Sequence, residues 1–190
     1  MQDQDLIERI RADDPRSFKD LFDSHVAMVY NVCFQMLGDR HDAEDVTQDV
    51  FFEAYKSLKR FRFESKLSTW LYRIAVNRSL NHQRKRKLER WLSLDFDSEE
   101  KSAGSFDVLR TTEGNVDMVM EKKDTERFVQ KAINALPDKQ RIAILLHRYE
   151  ELSHGEIAKI MGVTVASVES RLHRAMQTLA KKLLSLKKDL

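Results

Sequence analysis

Residues 152–176 read LSHGEIAKIMGVTVASVESRLHRAM and carry the signals of two short helices joined by a turn. Ser153 and Glu156 have the spacing of a capping box, in which each side chain bonds the other residue's backbone N–H at a helix start. Gly162 can supply the turn, and Thr164 can cap the second helix. The apolar residues of the first helix recur at helical spacing, at Ile157, Ile160 and Met161. This pattern predicts a helix-turn-helix.

The second helix of this motif has an apolar face and a polar face. Its apolar residues are Val168, Leu172, Ala175 and Leu179. In DNA-binding helix-turn-helix proteins this helix enters the major groove, so polar residues near its start are candidate DNA contacts. The candidates are Glu169, Ser170, His173 and Arg174, with Arg171 on the flank. Arg174 can grip guanine, Glu169 can accept from the cytosine amino group, and Arg171 suits a phosphate. A plain helical hairpin with a solvated face is the alternative.

A supporting helix is predicted just before the motif. Residues 136–153, LPDKQRIAILLHRYEELS, have a helix-opening proline at Pro137 and a broad apolar face. That face is made by Ile142, Leu145, Leu146 and Tyr149. Arg141 and Arg148 of this helix either steady the DNA backbone or are solvated.

The composition of the whole chain favours an all-α fold. The 190 residues include only five Gly and two Pro, with 34% charged and 42% hydrophobic residues, which excludes a turn-rich all-β fold. Apolar residues at three- and four-residue spacing predict a series of helices. These lie near 3–12, 16–37, 41–59, 67–89, 118–135, 138–150, 154–161 and 165–186. Asp14-Pro15 and Gly38-Asp39 mark helix boundaries.

Cysteine usage and the amino terminus favour the cytoplasm. The single cysteine, Cys33, lies in an apolar run and is predicted to be a buried, inert thiol. The first ten residues, MQDQDLIERI, lack the features of a signal peptide, and no stretch approaches the roughly 18 apolar residues of a membrane span. We therefore expect a cytoplasmic protein.

Charge is segregated along the chain although the net charge is only +2. Residues 1–60 contain 8 basic residues (Lys and Arg) and 13 acidic ones (Asp and Glu), whereas residues 61–90 contain 9 basic and 2 acidic ones. Residues 91–122 contain 3 basic and 8 acidic residues, and residues 123–190 contain 13 basic and 8 acidic ones. Two basic blocks separated by an acidic spacer can touch a polyanion at two places.

The acidic spacer predicts two domains. Residues 95–115, DFDSEEKSAGSFDVLRTTEGN, contain two of the five glycines and show no helical period. We predict a first small helical domain over 1–92, a flexible acidic linker over 93–117, and a second small helical domain with the helix-turn-helix over 118–190.

The helix predicted over 41–59 leaves one aromatic residue outside its apolar face. That face is made by Val46, Val50, Ala54 and Leu58. Phe52 lies outside it, among the polar residues Asp45, Gln48, Asp49 and Glu53, which makes this surface a candidate dock for a basic protein. Alternatives are that Phe52 packs on the linker, that the carboxylates are only solvated, or that Asp42, Asp45 and Asp49 bind a divalent metal.

The stretch at 61–87, FRFESKLSTWLYRIAVNRSLNHQRKRK, combines aromatic and basic residues. Its aromatic side chains are Phe61, Phe63, Trp70 and Tyr72. Stacking surfaces interleaved with cations are typical of proteins that bind single-stranded nucleic acid. Asn77 and Asn81 can contact base edges, and the phosphate contacts would come from Arg73, Arg78 and Arg84. The alternative is that Trp70, Leu71 and Ile74 are core and that 84–87 is a solvated helix end.

Taken in order, these motifs resemble a known family over nearly the whole chain. AEDVTQDVFFEAYKSL (43–58), FRFESKLSTWLYRIAVNRSLN (61–81), LPDKQRIAILLHRYEELSHGEIAKIMGV (136–163) and SVESRLHRAMQTL (167–179) are similar to the alternative sigma factors of bacterial RNA polymerase, of the small extracytoplasmic-function type. The resemblance implies a subunit that binds core polymerase and recognises the minus-thirty-five and minus-ten promoter elements.

The resemblance also implies residue roles. Asp45, Gln48, Asp49, Phe52 and Glu53 would bind the clamp helices of the β′ subunit. The minus-ten contacts would be Phe61, Phe63, Ser65, Trp70, Arg73, Asn77, Arg78, Asn81 and Arg84, with Phe63, Ser65 and Asn77 near an extruded base. The minus-thirty-five contacts would be Arg148, Ser167, Glu169, Ser170, Arg171, His173 and Arg174, on a domain that packs on the β flap. The linker would run through the RNA exit path.

The family resemblance has two further implications. Many relatives carry a basic residue at the position of Glu169, so their minus-thirty-five preference is not carried over to this chain, whose own preference can include a cytosine. No catalytic residues, cofactor, metal or small-molecule substrate are implied, and an anti-sigma protein, often membrane-anchored, is an expected partner.

Two other functions stay open at this point. A conventional helix-turn-helix regulator would bind its operator alone and needs neither Phe52 in its acidic surroundings nor the aromatic-basic block. A nucleic-acid-processing enzyme would need a metal on the carboxylates of residues 42–53.

Overall fold

The chain is described from a computed structural model that covers residues 2–93 and 128–186, where all regular secondary structure is α-helical. The helices are α1 (Gln2–Arg11), α2 (Ser17–Leu37), α3 (Arg40–Leu58), α4 (Leu67–Ser93), α5 (128–134), α6 (Asp138–Arg148), α7 (His154–Met161) and α8 (Val165–Leu186). They belong to two compact units, of which one contains α1–α4 and the other contains α6 and α8. The predicted all-α fold is confirmed.

The predicted domain limits and linker remain predictions, because residues 94–117 lie outside the described residues. The same holds for the first part of the helix predicted over 118–135. Within residues 2–93 and 128–186, a helix long and apolar enough to cross a membrane is not found.

In the first unit, α2, α3 and α4 pack against one another and α1 packs on α2. Gly38 ends α2 in the left-handed conformation, with φ 73°, and its N–H donates to the carbonyl of Phe34 at 2.8 Å. Asp39 then caps α3 by accepting from the N–H of Asp42 at 2.9 Å. The break predicted at Gly38-Asp39 is confirmed, and the sharp reversal brings α3 back along α2.

The core of this unit follows the predicted face of α3. Val46, Val50, Ala54 and Leu58 are all buried. Phe51 is buried as well, with its ring centroid 4.8 Å from that of Phe22 on α2. Cys33 is also buried, and burial raises the pKa of its thiol, so the reactive thiolate is disfavoured. The predicted burial of Cys33 is confirmed, and its predicted inertness stays a prediction.

The predicted helix-turn-helix is formed by α7 and α8. The backbone N–H of Ser153 donates to Glu156 at 3.1 Å, and the N–H of Glu156 donates to the Ser153 hydroxyl at 3.3 Å, which completes the capping box. Gly162 turns the chain with φ 63°, and the Thr164 hydroxyl caps α8 by accepting from the N–H of Ser167. The buried residues of the two helices are Ile157, Ala158, Ile160, Val168, Leu172 and Ala175.

Several predictions about α6 and α4 were wrong. Arg141 is neither solvated nor placed for DNA, because it is 8% exposed and pairs with Asp138 at 3.1 Å. By contrast, the predicted proline-led start of α6 is confirmed, because Pro137 is the N-cap of this helix. Tyr149 lies beyond the end of α6 and is exposed, unlike the rest of the predicted apolar face. α4 continues to Ser93, four residues past the predicted end.

Candidate polymerase and nucleic-acid surfaces

The outer face of α3 carries the polar residues predicted to bind a protein. Asp45, Gln48, Asp49 and Phe52 are exposed and lie three or four residues apart, so they share one side of the helix. We call these four residues the acidic stripe. Phe52 is 59% exposed, and the only cation over its ring among the described residues is Lys56, with Nζ 3.8 Å from the centroid. The structure therefore presents an aromatic ring to solvent in negatively charged surroundings.

Glu53 is oriented differently from the acidic stripe. Its carboxylate accepts a hydrogen bond from Arg78 Nε at 2.5 Å, which joins α3 to α4. The structure thus pairs a residue predicted to bind polymerase with a residue predicted to bind DNA. Glu53 is partly neutralised by this contact, so it is less available to a basic partner than the stripe is.

The metal site considered on α3 finds no support. Asp42 forms a salt bridge with Arg86 and lies 3.6 Å from His82 Nε2, so its carboxylate faces basic groups of α4. In the described parts of the chain, no three His, Cys, Asp or Glu side chains are grouped so that they could hold a metal ion.

The aromatic residues at the start of the basic block form a cluster. The ring centroid of Phe61 lies 5.3 Å from both Phe63 and Trp70, in edge-to-face contacts. Phe61 is only 7% exposed and Tyr72 is buried, whereas Phe63 is 42% exposed and Trp70 is half-buried. Of the predicted stacking residues, Phe63 is therefore the most exposed, and the Phe61 ring packs against it. Leu71 and Ile74 are buried, as the core alternative expected.

The exposed face of α4 continues from this cluster. Arg73, Asn77, Asn81 and Arg84 are exposed at four- and three-residue spacing, so they line one side of the helix. An open cavity of about 500 Å³ is lined by Glu53, Asn77, Arg78, Leu80, Asn81 and Arg84. Amide and guanidinium groups around an open cavity can contact base edges and phosphates. Ser65, half-buried in the loop before α4, donates to the carbonyl of Lys66.

The first turns of α8 carry the residues predicted to read duplex DNA. Glu169, His173 and Arg174 are exposed, and so is Arg148 at the end of α6. The side chains of Ser167, Ser170 and Arg171 are half-buried. The structure thus brings the polar candidates of α8 to one helix surface next to the turn, as the helix-turn-helix requires.

Two residues that the sequence did not single out contact the candidate sites. His154 Nδ1 of α7 lies 3.5 Å from Glu169 Oε1 of α8. Arg11 of α1 donates through Nη2 to the Phe61 carbonyl at 2.5 Å, and its guanidinium carbon lies 5.4 Å from the Phe63 ring centroid. Neither contact follows from helical periodicity, because the partners are 15 and 50 residues apart and belong to different helices.

The family comparisons match both units. Residues 21–89 match the family model described as Sigma-70 region 2, and residues 129–179 match that described as Sigma-70, region 4. The chain is 33% identical over 182 residues to the ECF RNA polymerase sigma factor SigW of Bacillus subtilis, covering 93% of this chain and 94% of that protein. It is likewise 33% identical over 186 residues to the ECF RNA polymerase sigma-E factor of Escherichia coli K12, covering 96% of this chain and 94% of the relative.

A solved structure is similar over most of the chain. It is the sigma factor RpoE of Bartonella quintana in complex with the anti-sigma factor NepR. The TM-score is 0.67 at 25% identity, and the match covers 88% of this chain and 97% of the other.

Proposed function

Because the chain belongs to the extracytoplasmic-function (ECF) sigma factors of RNA polymerase, it is an alternative sigma factor, and we propose that its three candidate surfaces divide promoter recognition among them. The acidic stripe binds core polymerase, the α4 face with Phe63 holds the melted minus-ten element, and α8 reads the minus-thirty-five element. Together these contacts direct the enzyme to chosen promoters and support initiation.

The acidic stripe has the chemistry of a protein dock. Asp45, Asp49 and Gln48 surround an exposed Phe52 on one face of α3. An aromatic anchor bordered by carboxylates fits a basic surface with a hydrophobic pocket, which we assign to the β′ clamp helices. The exposure of Phe52 within this acidic surface carries the assignment, because burying the ring in a partner's pocket would remove apolar surface from water.

The α4 face suits single-stranded DNA. Phe63 offers a ring on which a base can stack, and Asn77 and Asn81 offer amide groups at the open cavity. Arg73, Arg78 and Arg84 add positive charge along the same helix. We propose that one extruded minus-ten base lies between Phe63 and Asn77, with Ser65 nearby.

The α8 face suits a major groove. Arg174 can donate to guanine and Glu169 can accept from the amino group of cytosine, while Arg171 and Arg148 neutralise phosphates. We propose that this unit also packs on the β flap while it reads the minus-thirty-five element.

Three further assignments rest on family membership. A partner anti-sigma protein is proposed because the Bartonella relative was solved with one. We place the chain in the cytoplasm, where core polymerase works, and we propose that it is not an enzyme, since RNA synthesis belongs to the polymerase. No cofactor or small-molecule substrate is proposed.

A conventional helix-turn-helix regulator is the competing function. It would use the α8 face in the same way, but it would have no role for Phe52 or for the cavity beside Asn77 and Asn81. The two surfaces of the first unit therefore favour the sigma factor.

Run-off transcription tests the proposal. Core polymerase without a sigma subunit is incubated with a library of genomic promoter fragments, with and without the chain. Transcripts that start at specific promoters only when the chain is present support it. Operator binding by the chain alone, with no added transcripts, would favour the regulator.

A further inference from the structure

The loop that presents Phe63 connects α3 to α4, and we call residues 59–66 the Phe63 loop. Arg11, the last residue of α1, donates to the backbone carbonyl of Phe61 in this loop at 2.5 Å. The same guanidinium lies over the Phe63 ring, 5.4 Å from its centroid. One side chain therefore contacts both the backbone and the exposed ring of the loop. Arg11 lies before residues 21–89, the segment that matches Sigma-70 region 2.

The backbone of Phe63 needs such support. Its φ is 57°, in the left-handed region that bulky side chains rarely adopt. A bulky residue held in this conformation is strained, and the strain persists only where the surrounding structure holds it. The turn also lets the ring of Phe63 stay 42% exposed while it contacts Phe61 at its edge.

The contacts of Arg11 are strong enough to matter. A hydrogen bond from a charged guanidinium to a carbonyl is stronger than a neutral one, and a cation over an aromatic ring adds to it. A second contact joins the same two segments, because Lys59 Nζ lies 2.5 Å from Asp13 Oδ1 just after α1. Both cations are exposed, but the salt bridge is a single contact, whereas Arg11 contacts both the Phe61 carbonyl and the Phe63 ring. Arg11 is thus the main link from α1 to the Phe63 loop.

We infer that Arg11 is a positioning residue for minus-ten recognition: it holds the Phe63 loop in its left-handed turn, so that the ring is pre-set to receive a base. The inference rests on the proposed function of the α4 face. It assigns to α1 a part in promoter opening through Phe63, without a contact between Arg11 and DNA.

Open-complex formation by holoenzyme reconstituted with full-length variants tests this inference. Arg11→Ala should slow opening about tenfold, the effect of losing about 1.4 kcal/mol, while closed-complex affinity stays unchanged. Arg11→Lys should recover part of the rate, since Lys keeps the charge and a donor but loses the planar group over the ring. Arg16→Ala, which removes an exposed positive charge five residues further along the chain, is the matched control and should open at the wild-type rate.

A double-mutant cycle separates action through Phe63 from other roles. If Arg11 works through the ring, Arg11→Ala combined with Phe63→Ala opens no more slowly than Phe63→Ala alone. Additive losses, or an equal loss in Arg16→Ala, would overturn the inference, because they indicate direct DNA contact or a general charge effect.

A measurement without polymerase keeps the inference apart from the proposed function. The Phe61 amide donates to the Leu58 carbonyl at 3.0 Å, so its hydrogen exchange reports on the loop in the free chain. Arg11→Ala should accelerate this exchange several-fold and leave the Gly38 amide unchanged. Unaltered exchange at Phe61 refutes the positioning role, whereas a wild-type chain that yields no transcripts refutes the proposed function.

Discussion

Phe51 and Phe52 are sequence neighbours, but one is buried and the other is exposed. Substituting each in turn therefore distinguishes an effect on stability from an effect on polymerase binding. Phe51 is 2% exposed and Phe52 is 59% exposed. Phe52→Ala should weaken association with core polymerase by about tenfold or more, as truncation of an interface anchor does, without changing the unfolding midpoint. Phe51→Ala is the matched control, since it should cost about 3–5 kcal/mol of stability by leaving a cavity.

Polymerase affinity is measured with a labelled holoenzyme and stability with thermal unfolding. Wild-type affinity in Phe52→Ala would show that the acidic stripe is not the dock. Lys56 loses its contact with the ring in this variant, but an exposed cation–π pair contributes only about 0.5–1 kcal/mol.

Glu169 is the residue by which the minus-thirty-five preference is expected to differ from that of many relatives. Glu169→Gln keeps the size and an acceptor, removes the charge and adds a donor, so the preferred bases should change while polymerase association stays the same. Selection from a randomised minus-thirty-five library measures the preference, and Met176→Ala on the same helix is a control outside the predicted contacts. An unchanged base profile would exclude Glu169 from the readers.

At the scale of elements, the junction of α1 and α2 should weaken in acid. Asp14 accepts from the Arg16 N–H at 3.0 Å and from Arg9 Nε at 2.8 Å, and these bonds lower the pKa of its carboxyl group. Because the pKa of Asp14 is lower in the folded than in the unfolded chain, its ionised carboxylate stabilises the fold. This stabilisation is complete above the ordinary pKa of about 3.9 and is lost as the pH falls through the lower pKa of the folded state.

The thermal unfolding midpoint of the wild type should therefore be higher than that of Asp14→Asn at pH 7. The difference between the two midpoints should shrink as the pH approaches 3. A difference that stays constant over this range would show that the Asp14 contacts do not depend on its charge. The control is Asp3→Asn, an exposed carboxylate in the first turn of α1.

The helices were predictable from local signals, and several site contacts were not. Caps and glycine turns at Asp39, Ser153 and Gly162 act over a few residues, so the sequence placed α3, α7 and α8 within one residue of their observed bounds. Arg141 was misjudged because its burial depends on how α5 and α6 meet, which no local pattern encodes. Arg11 was missed for the same reason, since its partners lie 50 residues away.

Helix ends without a capping signal were also harder to place. α4 runs on to Ser93 because the residues after 89 still favour a helix, although Leu88, Trp91 and Leu92 are exposed. The local sequence also indicates little about which charged residues are exposed and which are paired. Glu53 differs from the acidic stripe because its carboxylate pairs with Arg78 of another helix, and local spacing does not predict that contact.

For the molecule as a whole, promoter recognition should depend on the covalent connection between its two units. Two units that each bind one DNA molecule weakly bind it more tightly when they are covalently joined, because the second unit then binds at an effective concentration near millimolar. A specific protease site inserted after Gly104, in the predicted linker, tests this expectation. Cutting should lower transcription at nanomolar protein by about a hundredfold or more.

The uncut variant is the control and should act like the wild type, and raising the concentration of the cut units should restore activity. Full transcription by the cut protein at nanomolar concentration would show that the connection contributes nothing. Intact units are verified by their helical circular dichroism.

The closed environment of Cys33 makes this chain convenient for site-specific labelling. It is the single cysteine of the sequence, and it is buried with a thiol whose pKa is raised. A maleimide dye should therefore leave the native protein unmodified and attach only to a cysteine introduced at the surface. With Lys19→Cys on α2 and Lys181→Cys on α8, both exposed, a donor and an acceptor dye would turn the distance between the two units into an optical signal. Energy transfer could then follow this protein in real time, from the free chain through polymerase binding to promoter opening.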